Sequence, residues 1–103
     1  MTAIQEFTSV SAATETDIRT STADETLVVR IINESGAAGV INGLSQSTTS
    51  ATQNAAGNLL PAGFPINDKT MIEISPVIGA TAFEFIVLNC SVAVTTNVSG
   101  VTQ

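Results

Sequence analysis

Nine carboxylates, one lysine and one thiol are the side chains of this 103-residue sequence to which proton-transfer, nucleophilic or metal-binding chemistry could fall. Histidine is absent, so a Ser-His-Asp triad, a Cys-His pair and a histidine-ligated metal are impossible within one chain. Carboxylate pairs remain. Glu15 with Asp17 and Asp24 with Glu25 are local clusters, and Glu73 could meet Glu84 across two strands, in principle as a general acid and base. Such a pair would have no tryptophan or tyrosine platform for a substrate, because neither residue occurs. Solvated carboxylates at turns explain these residues more simply. Asn67-Asp68 and Asp24-Glu25 offer oxygen ligands of the kind calcium takes, without the spacing of an EF-hand loop. Cys90 stands alone, so neither a disulfide nor a thiolate cluster can form within the chain. Its place in an alternating apolar run marks it as a small buried hydrophobe rather than a reactive thiol. The expectation is a chain that is not an enzyme and uses neither cofactor nor metal.

The element that must organise the rest is Thr81–Thr95, β-branched and aromatic, without proline or glycine. Ala82, Ile86, Leu88, Cys90, Val92 and Val94 alternate onto one apolar face interrupted only by Glu84. The other face is apolar at Phe83, Phe85 and Val87 and small or polar beyond. Fully extended, the run would span roughly 40 Å, too long for one strand of a small domain, which predicts a bulge or bend near Asn89 where the chain passes between sheets. Leu27–Ile32 is a second strand, with Leu27, Val29 and Ile31 on one face. Thr70–Ser75 is a third, half-buried and ended by Pro76. Val77–Ala80 should join it to the long run as a hairpin. Arg30, Glu73 and Glu84 each put one charge on a presumed outer face, and Arg30 is expected beside at least one of those carboxylates.

The remaining segments are less regular. Met1–Thr22 carries isolated Ile4, Phe7, Val10 and Ile18 among serines and threonines. It reads as an extended arm with a short strand between Ile4 and Val10, either reaching a neighbouring subunit or fraying. Gly39–Gly43 suits a brief strand or a bend and lacks the lysine and spacing of a nucleotide loop. Leu44–Asn58 is uncharged and aperiodic. It forms an exposed strand at Ser47–Thr52, a loop ordered by a partner, or a helix with Leu44, Thr48, Ala51 and Ala55 on one side. Leu59–Ile66, broken by Pro61 and Pro65, is an ordered extended connection in which Phe64 either plugs the core edge or recognises a partner. Asn33–Gly36 and Asn67-Asp68 are turns, and Asn97 with Gly100 marks a final turn before a short tail.

Composition narrows the partners. Charged residues are 12% of the chain, about half the usual share, against 44% hydrophobic residues. Arg19, Arg30 and Lys69 are scattered and the net charge is −6, a poor fit to nucleic acid or an anionic membrane surface. The first 20 residues hold Gln5, Glu6, Glu15 and Asp17 and no apolar run, so neither a signal peptide nor a transmembrane segment is expected. The whole reads as one all-β domain, a small antiparallel β-sandwich or β-barrel of jelly-roll type over residues 23–103, with the extended N-terminal arm at 1–22. Apolar side chains on both sides of its longest run point to association with other copies or another surface. The candidate interface is Ile4, Phe7, Val10, Leu59, Leu60, Phe64, Phe83, Phe85 and Val87.

The polar N-terminal segment, the uncharged Ser45–Thr52 loop, and the core strands Leu27–Ile32 and Phe83–Val94 together resemble small bacteriophage virion proteins, above all head decoration, or cement, proteins. The likeness spans the chain and rests on style rather than on a signature. It implies a homotrimer in the virion, made in the host cytoplasm, that binds the major capsid protein at capsomer junctions and stabilises the head. A tail, fibre or other appendage subunit that binds a host surface or glycan is the alternative.

Overall fold

A computed structural model describes residues 2–21, 24–78 and 84–102. Ten strands form two packed antiparallel sheets: β1 (Thr2–Val10), β2 (Thr16–Thr20), β3 (Glu25–Asn33), β4 (Gly39–Ser47), β5 (Asn58–Leu60), β6 (Phe64–Ile66), β7 (Thr70–Ile74), β8 (Val77–Ile78), β9 (Phe85–Cys90) and β10 (Val94–Thr102). The first sheet has the order β1-β10-β3-β7, with β8 also on β3; the second has β2-β9-β4-β5, with β6 also on β4. Successive strands mostly change sheets. With β5/β6 and β7/β8 each counted as one interrupted edge strand, this is the eight-strand jelly-roll order expected of two Greek keys.

Alternation builds the core. Leu27, Val29 and Ile31 of β3 face Ile86, Leu88 and Cys90 of β9 across the sandwich, and all six are fully buried with Val98, Ile41 and Leu44. The long run does break as its length requires. β9 ends at Cys90, the chain turns through Ser91–Ala93, and β10 begins at Val94 in the other sheet.

Three expectations are corrected. Residues 2–20 are not an arm: β1 pairs with β10 over its whole length, and β2 forms the edge of the opposite sheet. The expected strand between Ile4 and Val10 exists but is longer, and Ile4, Val10 and Ile18 are core residues. Asn97 and Gly100 do not form a turn. They lie inside β10, the strand between β1 and β3, where a Cβ on Gly100 would come within 2.1 Å of the Thr26 carbonyl oxygen. Lastly, β7 and β9 make no hairpin, because β7 lies on β3 and β9 lies between β2 and β4. The first two corrections share a cause, polar residues on outward faces that hid strands, and the third arises because both recognised strands pair with partners far away in sequence.

Candidate functional site

Several of the carboxylates are bound by the chain itself. Arg30 and Glu73 are cross-strand neighbours on the outer face of the first sheet, and the Arg30 Nε donates to Glu73 Oε2 at 2.8 Å, as the charge pattern predicted. Glu84 precedes β9 in the opposite sheet, so the imagined Glu73–Glu84 pair does not exist. Asp17 Oδ2 accepts from Ser50 Oγ at 2.5 Å and Oδ1 from Ala51 N at 2.8 Å. Asp68 Oδ1 accepts from Gly36 N at 2.9 Å, tying two turns together at one end of the sandwich. Among the described residues no group of three or more Cys, Asp or Glu stands close enough to hold a metal ion.

Glu25 is the residue that sequence reasoning misplaced. It is not a solvated turn carboxylate, since its side chain is fully buried. Arg19 grips it with Nε donating to Oε1 at 3.0 Å and Nη2 donating to Oε2, while Nη1 donates to Glu6 Oε1 at 2.6 Å. Thr102 Oγ1 adds a hydrogen bond to Oε2 at 3.2 Å. A register shift between Asp17 and Arg19 in the β2–β9 ladder explains how Arg19 gets there. The extra residue lets both Ile18 and Arg19 turn inwards, so a guanidinium on one sheet reaches carboxylates on β1 and β3 of the other. Burial pushes the Glu25 pKa upwards, but the Arg19 hydrogen bond and charge, with Ser21 and Thr102, outweigh it and hold it below the usual carboxylate value. The Arg19 pKa is raised, chiefly by its bond to Glu25. A signal was available: Glu25 lies in phase with Leu27, Val29 and Ile31.

Residues 48–57 settle the long uncharged segment. They form neither an exposed strand nor an α-helix, and they are ordered by the chain itself. The segment lies as a strap across the outer side of the second sheet and ends in one 3-10 turn, Ala55–Gly57, capped by Asn54. Gln53 fastens it. Its Nε2 donates to the Val87 carbonyl at 3.1 Å and the Gly43 carbonyl at 3.3 Å, while its Oε1 accepts from Ser45 Oγ at 2.6 Å. A Cβ at residue 43 would sit 2.8 Å from the Gln53 side chain, which is why glycine stands there.

The candidate interface therefore divides. Ile4 and Val10 are core, and Val87 is fully buried although it points to the outer side, because the strap covers that side. Leu59 and Leu60 are half-buried against the core, and Phe85 is half-buried. Phe83 lies outside the described residues. Phe7 and Phe64 remain exposed, at 68% and 37%. Two residues that sequence reading missed join them: Met71 at 51% and Val40 at 37%. Phe7 and Met71 stand on the outer face of the first sheet, where Ile32 is the cross-strand partner of Met71. In the β4–β6 ladder Phe64 pairs with Ile41 and Pro65 with Val40, so Val40 points to the outer side of the second sheet while Phe64 sits on the core side at its edge. A cleft of about 580 Å³ opens beside Met71, lined also by Ile32, Glu34, Gly36, Asp68, Lys69 and Thr70. No helix among the described residues is long and apolar enough to cross a membrane. Compared with known proteins, the chain matches no family model, no curated protein and no solved structure.

Proposed function

We propose that the protein is a non-enzymatic structural subunit of a virion, a decoration protein that binds an assembled head where capsomers meet and holds major capsid subunits together. The observation that carries the reading is the set of large apolar side chains left exposed outside a completed core, Phe7, Met71, Val40 and Phe64, spread over both sheets. Contact with other surfaces removes such side chains from water at roughly 25 cal/mol per Å² of apolar area. The net charge of −6 agrees, because it keeps the subunit off the nucleic acid of the same particle. The mechanism is linkage. A subunit that binds only the assembled shell raises the free energy needed to take the shell apart.

The test is co-sedimentation of the purified chain with expanded, undecorated phage heads. Binding at micromolar concentration with a rise in the temperature of head disruption supports the reading, and absence of binding at that concentration overturns it. The cleft beside Met71 favours a second reading, an appendage subunit that binds a glycan, because it sets Ile32 and Met71 beside the polar Glu34, Asp68 and Thr70. Saturable binding of an oligosaccharide, abolished by Met71→Lys, would select that reading instead.

A further inference from the structure

The sandwich has four edges, and three are built against pairing. The β2 edge is bulged at Asp17/Arg19. The β5/β6 edge is cut into two three-residue pieces and carries Pro61 and Pro65, and the β7/β8 edge is cut at Ser75-Pro76. Interruption, bulging and proline are the devices that stop one sheet from adding to another. Strand β1 has none of them. Its nine residues keep an unbroken register with β10 and contain neither proline nor glycine, and its other side has no partner strand among the described residues. Its single charge, Glu6, is no guard, because its carboxylate is bound to Arg19. On β1 and its neighbour β10 the outer face is uncharged: Ala3, Gln5, Phe7 and Ser9 lie beside Val101, Ser99, Asn97 and Thr95, and the first charge, Arg30, comes on the next strand. On a molecule of net charge −6, this is where a like-charged copy meets least repulsion.

We infer that β1 pairs with β1 of a second copy, antiparallel about a two-fold axis through Phe7, joining the two first sheets into one continuous sheet. The sequence of the strand is self-complementary in that register. Ile4 falls opposite Val10 of the second copy, Gln5 opposite Ser9, Glu6 opposite Thr8, and Phe7 opposite Phe7. Each pair matches apolar with apolar, amide or carboxylate with hydroxyl, and ring with ring, the kinds of cross-strand pair that stabilise a sheet. Centring on Glu6 instead would set two carboxylates face to face. An isologous contact of this kind closes on itself, so it ends at two copies and does not run on into a fibre. It is a contact made in solution and stands whether or not a shell is the partner.

Sedimentation equilibrium of the full chain from about 1 to about 100 µM tests it, because a two-copy association must follow concentration by mass action. A monomer–dimer equilibrium is expected, and Phe7→Lys should weaken it by about tenfold or more while leaving unchanged the thermal transition measured below the association range, where both chains are monomeric. Register is read by Phe7→Cys. Facing residues in an antiparallel pair have Cα atoms about 5.5 Å apart, within disulfide reach, so mild oxidation should give a covalent dimer; Thr48→Cys, in the strap on the other sheet, should not. The native Cys90 is buried and does not compete. A monomer throughout that range, a trimer, or a dimer insensitive to Phe7→Lys overturns the pairing, and none of these results touches the shell-binding reading.

Discussion

One extra residue in β2 decides where Arg19 points, and Arg19 decides whether Glu25 can be ionised inside the sandwich. Removing one partner of a buried ion pair leaves the other charge without water or counter-charge, so Arg19→Met should destabilise the fold by about 3–5 kcal/mol. Arg19→Met with Glu25→Met should recover much of that loss, because no charge is then left buried. Urea denaturation of the two variants and the parent measures the difference. The same pair sets the response to acid. The folded pKa of Glu25 is held below its unfolded value, so the stability it contributes is complete above about pH 5 and is lost as pH falls through the ordinary carboxylate range towards the folded pKa. A stability–pH profile should therefore decline on the acid side, less steeply in Glu25→Gln. By contrast Arg30–Glu73, with both side chains partly in solvent, contributes about 1 kcal/mol or less. Its geometry was legible because two single charges stood on outward faces of adjacent strands. Glu25 was not read as buried because its neighbour Asp24 made it look like part of a turn.

At the scale of elements, strands were easier to recognise than their partners. Leu27–Ile32 and Thr70–Ser75 declared themselves by alternation, and the break expected near Asn89, found at Ser91–Ala93, followed from length. Residues 48–57 could not be read this way. Their order comes from side chains bonding to backbone, which leaves no apolar period in the sequence. Gln53 is the test. Gln53→Ala would leave the Ser45 hydroxyl short of an acceptor and the Gly43 and Val87 carbonyls short of a donor, at a cost of about 1–3 kcal/mol. Amide exchange in 48–57 should quicken more than in β3 or β10, since the strap can open without the sheets parting. Equal acceleration everywhere would mean that the strap and sheets form a single cooperative unit.

The arrangement of the whole molecule was the least legible, because jelly-roll pairing is non-local. β1 meets β10, at opposite ends of the chain, and no local pattern announces that. A serine- and threonine-rich edge strand with one solvated face looks like an unstructured segment until its partner is known. Deleting residues 2–10 separates the two views. Loss of an arm would leave the transition midpoint unchanged. Loss of β1 removes Ile4 and Val10 from the core, each worth about 1.5–3 kcal/mol, and strips one side of β10, so the deletion should cost at least about 3 kcal/mol in urea denaturation. That same pairing sets Thr2 opposite Thr102, bringing the start of the first strand and the finish of the last to one rim. A passenger fused before the one or after the other would be carried from the same side, and the turns at Asn33–Gly36, Asn67–Lys69 and Ser91–Ala93 would stay clear at the far pole for whatever the molecule touches.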